Sequence, residues 1–212
     1  VTPVSRRTLL SFGLALAGGL TGRSAYADAA VEEALAKVSR ARASLKTLTG
    51  PFTQERTIGL LATKVASKGR LALVLPDRLV WELAEPDAIS YWVGPEGLAY
   101  KGRRGQGRLP VTERIAPALE DLRTLLGGDL ARLAVRHDVT LLPEPPGGGV
   151  GFAMVPKAGT PIRFKRIELE LGPDLLRPRR VALVEGAKDR TDIVFGELVR
   201  DAPVDPARVR PP

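Results

Sequence analysis

Hydrophobic positions recur along this chain with two different periods. Over 31–48 the apolar residues Val31, Leu35, Val38, Leu45 and Leu48 fall in register with a helix, with Ala34 and Ala41 beside them, while Glu32, Glu33, Lys37, Arg40 and Lys46 occupy the other face. That spacing predicts an amphipathic helix packed on something apolar and ended by Gly50-Pro51. From Pro51 the period shortens to two, which predicts strands over 52–58, 65–75, 79–83, 89–93 and 98–101, broken by turn residues such as Pro86-Asp87 and Gly94-Pro95-Glu96-Gly97. Helical spacing returns over 115–133, where the stripe Leu119, Leu122, Leu125, Leu126 and Leu130 is interrupted by Gly127-Gly128 and so predicts two short helices. Strands resume at 134–142, 150–155, 164–171, 179–184 and 191–199, with a flexible loop at 143–149 and a Pro-rich tail over 202–212.

The stretch 69–86, GRLALVLPDRLVWELAEP, is the clearest unit. Leu71 and Leu73 share parity on one side of the Pro76-Asp77 turn, and Leu79, Trp81 and Leu83 share it on the other, so the hairpin has one oily face. Several strands are also apolar on both faces, with Val80 beside Trp81, Tyr91 beside Trp92 and Leu141 beside Leu142. Roughly ten strands at this spacing favour antiparallel connections, and an open sheet of that size curls until helices cover its apolar face. The expected fold is mainly β within the α+β class: a curved, incomplete antiparallel barrel with an N-terminal helix and a short helical lid over an apolar cavity.

Composition sharpens the setting. The 212 residues carry 44% hydrophobic and 26% charged residues, an ordinary balance for one domain. Arg6 and Arg7 precede the uncharged apolar run 9–20, and Ala25-Tyr26-Ala27 follows as a small-residue cleavage site. This reads as a secretory signal peptide over 1–27 with the mature domain at 28–212, and the run is too short for a membrane span. Residues 5–10, SRRTLL, also resemble a twin-arginine export motif. Setting aside Arg6, Arg7 and Arg23 reduces the formal net charge of +8 to about +5 for 28–212. That charge forms no basic run of the kind nucleic acids select. The chain has no cysteine, hence no disulfide, thiolate metal site or lipid-bearing N-terminal Cys, which fits a soluble periplasmic monomer.

The order Phe52-Thr53-Gln54, then Gly69 and its alternating strand, Pro76 followed by Leu79 and Trp81, Pro86, and the turn at Gly97 before Leu98 resembles the bacterial outer-membrane lipoprotein carrier (LolA-like) family, whose pattern is F-x-Q, G-x-L, P-x-x-φ-x-W, a further Pro and a D-G turn. The match covers residue 30 to about 101, and more loosely the later strands. The resemblance implies a periplasmic carrier that takes acylated lipoproteins from an inner-membrane ABC-type release complex to an outer-membrane acceptor or membrane surface, without a cofactor. Together with the alternation it places Leu71, Leu73, Leu79, Trp81, Leu83, Ile89, Tyr91, Val93, Leu98 and Tyr100 along an acyl-chain cavity and Leu119, Leu122, Leu125 and Leu126 in its lid. Each could equally pack in an ordinary core. Family members keep an arginine before the first Pro that bonds to the lid; Leu75 stands at that position here, and Arg42 and Arg78 are the candidates to replace it. The departure leaves open a carrier of another lipid, a glycolipid or hopanoid, or a lipid-sensing regulatory or adaptor protein on the same fold.

Enzymatic readings have little to stand on. His137 is the only histidine, and it shares parity with Val135, Val139 and Leu141, as a core or strand-end residue would. Glu120-Asp121 and Glu168/Glu170 have no framing motif, Gly147-Gly148-Gly149 opens a strand instead of a helix, and no G-x-S-x-G occurs.

Overall fold

The computed structural model describes residues 21–59, 63–109, 116–160 and 164–212, with side chains from Ala27 onward except those of 116–119. Most of the expected leader therefore lies outside the described residues. Helix α1 spans Thr21–Arg42, so it begins ten residues earlier than the periodicity predicted and ends six residues sooner. Its downstream limit moves because Leu45 and Leu48 are buried from a turn and a strand: the Leu45 amide bonds to the Arg42 carbonyl, and strand β1 begins at Thr47. Ala25, Tyr26 and Ala27 fall within α1.

Twelve strands form one antiparallel sheet: β1 Thr47–Ile58, β2 Thr63–Val74, β3 Arg78–Leu83, β4 Ile89–Gly94, β5 Gly97–Gly102, β6 Gly105–Leu109, β7 His137–Leu141, β8 Val150–Pro156, β9 Arg166–Leu171, β10 Pro178–Val184, β11 Arg190–Phe195 and β12 Val199–Arg200. The spatial order is β6-β5-β4-β3-β2-β1-β11-β10-β9-β8-β7, with β12 added beside β1. The sheet is open, and β6 and β7 are its ends. Two strands escape the alternation: GQGRL of β6 has one large apolar residue, and β12 has two residues in all. The expected strand 191–199 divides because β1 releases β11 after Phe52–Phe195 and takes up β12 at Thr49–Val199. Pro51 sits in that gap, where the ladder asks for no amide proton, and its carbonyl accepts from Gly196.

Helix α2 spans Ala116–Leu126 and a 3-10 turn spans Leu130–Val135, matching the helical pair expected around Gly127-Gly128. One face of the sheet meets these helices. On it Phe52, Leu71, Leu73, Leu79, Phe152, Leu169 and Leu171 are buried together with Leu35 and Val38 of α1 and Leu125 and Leu126 of α2. A second, smaller apolar cluster lies on the opposite face, where Val204 and Val209 of the C-terminal tail cover Ala72, Val74, Val80 and Trp92. The indole Nε1–H of Trp92 donates to the Arg208 carbonyl at 2.9 Å and holds the tail there.

Candidate functional site

Strand register gathers the proposed lining residues onto one face. Leu73, Leu79, Val93 and Leu98 are directly paired across β2–β5; Leu71, Trp81, Tyr91 and Tyr100 make the next row; Leu83 and Ile89 continue in the row that Gly69 opens and Gly102 closes. Side chains two residues apart on neighbouring strands share a face, so the ten positions form a continuous grid. Exposure is graded across it. Leu71, Leu73, Leu79 and Val93 are buried, whereas Trp81, Leu83, Ile89, Tyr91, Leu98 and Tyr100 are partly open.

The deep part of the grid is aromatic. The Phe52 and Trp81 rings stack with centroids 3.9 Å apart, and Phe195 lies edge-on to Trp81 at 6.3 Å. Glycine at 69 permits this, since a Cβ there would lie 2.3 Å from the Phe52 ring. The shallow part borders a cavity of about 630 Å³ lined by Ile89, Tyr91 and Tyr100, with Pro86, Asp87 and the Arg103-Arg104 turn at its rim.

At the other end of the same strands the C-terminus of α2 sits directly on the grid. A Cβ at Gly127 would lie 2.6 Å from Leu73 Cδ2 and 3.1 Å from Leu45 Cδ2, so glycine sets how closely the helix end approaches. Leu125 and Leu126 are buried, Leu122 is partly buried, and the Leu119 side chain lies outside the described residues. A cavity of about 670 Å³ opens beside this contact between the Leu75-Pro76 turn, Gly94-Pro95, the end of α1 and residues Arg123 to Arg132.

Arg42 links the pieces. From the last turn of α1 its Nη1 donates to the Thr124 and Gly128 carbonyls at 3.1 Å each, Nη2 donates to the Leu125 carbonyl at 3.2 Å, and Nε donates to the Leu176 carbonyl at 3.0 Å. Thr124 and Leu125 are among the final residues of α2, whose carbonyls carry the negative end of the helix dipole; the Thr124 carbonyl also accepts from the Gly128 amide at 3.0 Å. A cation is the complementary cap. Burial pulls the Arg42 pKa down to about 9, partly countered by Asp174, so the guanidinium stays charged at neutral pH. Arg78 has a different partner, Glu96 at 3.0 Å. Leu75 packs against the core and lines the upper cavity. Sequence reasoning named Arg42 as one of two candidates, but only the fold shows that it reaches carbonyls 82 to 134 residues away.

A second polar group joins α2 to the start of β7. Asp121 and His137 are both buried, with His137 Nε2 3.7 Å from Asp121 Oδ2 and each of these atoms without a hydrogen-bond partner among the described residues. His137 Nδ1 is 3.2 Å from the Leu133 carbonyl, and Arg136 bonds the other Asp121 oxygen. Glu168 and Glu170, which no motif frames, pair with Arg166, Arg180 and Arg190 on the outer face. Among the described residues no His/Asp/Glu group is placed to hold a metal ion, and no helix is long and apolar enough to cross a membrane.

No family model matches the chain. Among curated proteins it is 28% identical to an outer-membrane lipoprotein carrier protein of Xanthomonas oryzae pv. oryzae (strain MAFF 311018), over 83% of this chain and 82% of the relative. Among solved structures an uncharacterized conserved protein from Thermus thermophilus superposes with a TM-score of 0.53 at 12% identity, covering 86% of this chain and 94% of that one. MucB superposes at 0.52 with 16% identity, covering 86% of this chain and 62% of MucB. The two structures share the fold of this chain, and the sequence likeness is of another kind, spanning most of both chains: the protein is a homologue of proteins named outer-membrane lipoprotein carrier.

Proposed function

We propose that this protein is a periplasmic carrier that shelters the acyl chains of lipoproteins against the inner face of β2–β5 and moves them from the inner toward the outer membrane. The observation that carries the reading is the graded apolar grid, closed at one end by an α2 terminus that Arg42 holds through backbone carbonyls. A chain of roughly sixteen carbons costs on the order of 12 kcal/mol to leave bare in water. The exposed floor at Ile89, Tyr91 and Tyr100 offers a first contact, and movement of α2 would uncover Leu71, Leu73 and Leu79 to extend it. Release then needs only that the lid return to its bonded position, because carbonyl–guanidinium bonds are directional and are either made or broken.

In this reading Arg42 performs from α1 the role that the family assigns to the position of Leu75. The chain's departure there therefore leaves lipoprotein cargo as the favoured cargo. The buried Asp121–His137 pair supports a binding protein over an enzyme, since both side chains are buried and line neither cavity.

Native mass spectrometry of protein purified from the periplasm tests this: a copurified acylated peptide is the expected result, and a consistently empty protein or a glycolipid would overturn the lipoprotein reading. Arg42→Leu is expected to lose about 3 kcal/mol of stability, because the four carbonyls lose a charged donor, and to raise amide exchange over 122–128 well above that of β8–β10. Equal exchange in both regions would show that Arg42 does not hold the lid.

A further inference from the structure

The outer face of the sheet carries two different charge patterns. Over β9–β11 all but one of the cations are matched: Arg166 pairs with Glu168, Arg180 with Glu170 and Asp192, and Arg190 with Asp192 and Glu168, while Arg179 donates to the Pro146 carbonyl. Over β2–β6 they are matched only at the margins, where Lys64 pairs with Glu55 of β1 and Arg78 with Glu96 of the β4–β5 turn. Glu82 is the sole carboxylate in those five strands, and Arg208 of the tail already occupies it. Exposed Lys68, Arg70 and Lys101, together with Arg104 in the β5–β6 turn and Arg210 on the covering tail, have no carboxylate partner among the described residues. Arg70, Glu82, Ser90 and Lys101 are consecutive partners across β2–β5, so the two unmatched cations of that row stand about 14 Å apart on one surface.

We propose that this face docks the protein on an anionic lipid bilayer. The choice of partner rests on what the face lacks as well as what it has. A protein interface is organised around apolar and aromatic side chains at its centre, and none of the exposed large hydrophobics points outward from β2–β6: Leu109, the only one in these strands, pairs with Leu98 on the inner face. Headgroups require no such centre. Each lysine or arginine near an anionic membrane strengthens binding about fivefold, and the attraction fades within a Debye length. Several such cations give weak, salt-sensitive and readily reversed contact. The docking face is the opposite one from the acyl-chain grid, so a docked molecule keeps its inner face and the cavity beside α2 free, with Arg104 at the edge between the docked face and the cavity at Tyr91 and Tyr100.

Cosedimentation with vesicles tests the proposal. The full chain is expected to bind phosphatidylglycerol-containing vesicles at low ionic strength, to release at about 0.5 M salt, and to ignore pure phosphatidylcholine vesicles. The triple variant Lys68→Gln, Arg70→Gln and Lys101→Gln should bind about a hundredfold more weakly with an unchanged melting temperature, whereas Lys188→Glu, an exposed cation in the β10–β11 turn, should change binding less than about twofold. Equal binding by the triple variant, equal binding to neutral vesicles, or no vesicle binding with salt-sensitive capture by an acidic protein would each overturn it. Acyl-chain retention, followed separately by mass spectrometry, should be intact in the triple variant, which keeps failure of docking distinct from failure of the carrier reading.

Discussion

The two halves of the sheet use the same kind of strand for different ends. In β8–β10 the inner face is saturated: Phe152, Leu169 and Leu171 have no exposed surface, and the outer face is laced by matched arginines and carboxylates. In β2–β5 the inner face runs from buried leucines to half-open tyrosines, its cover is a short helix end held by one arginine, and its outer cations Lys68, Arg70 and Lys101 lack carboxylate partners among the described residues. One half has satisfied its groups internally. The other leaves apolar surface and charge available, which is what the proposed carrier function would draw on.

Paired truncations are the most forceful way to break that contrast. Phe152→Ala should cost about 3–5 kcal/mol in denaturant unfolding, since it empties a fully buried position, while Tyr100→Ala should cost less than about 1 kcal/mol yet weaken acyl-chain binding. Comparable losses of stability from both would erase the distinction. Next in size is Gly127→Ala, whose methyl group would meet Leu73 at 2.6 Å. It should destabilise by about 1–2 kcal/mol and raise binding of an apolar dye at β2–β4, because the α2 terminus must lift. An unchanged dye signal would show that this end is not the movable one.

The smallest effect belongs to the matched network. Burial raises the Asp192 pKa, but bonds from Arg190 and Arg180 outweigh it and the net shift is downward. Such a carboxylate stabilises the fold at pH values above its unfolded pKa of about 3.9, and the contribution fades as pH falls through the lower folded value. Asp192→Asn should therefore reduce stability by about 0.5–1 kcal/mol at about pH 7 and by almost nothing at about pH 2, measured by thermal melts across that range. A pH-independent loss would point to packing instead of charge.

The comparison also explains what was legible. Period-two alternation with Pro and Gly punctuation is a local property, so β1–β5, the lid's two pieces and the single face shared by Leu71, Trp81 and Tyr91 could be read directly. Arg42 stands out in the sequence only as one of two latch candidates, because the four carbonyls it bonds come from distant segments that the fold brings together. The end of α1 was misplaced since Leu45 and Leu48 keep helical spacing while serving a turn and a strand. Strand β6 leaves no trace in the sequence pattern because an edge strand with one apolar residue carries no alternation. Neighbouring charges such as Glu168 and Glu170 gave no hint of pairing, which depends on cross-strand register with β10 and β11.

The chain's two tryptophans, Trp81 and Trp92, lie on adjacent strands and point to opposite faces. Trp81 is stacked on Phe52 inside the grid, and Trp92 is tied to the tail through Nε1. The molecule is thus built as a two-channel optical instrument. Replacing Trp92 with Phe leaves an emission that reports ligand against the inner face, and replacing Trp81 with Phe leaves one that reports the tail, so loading and tail movement can be timed separately by stopped-flow fluorescence without attaching a dye.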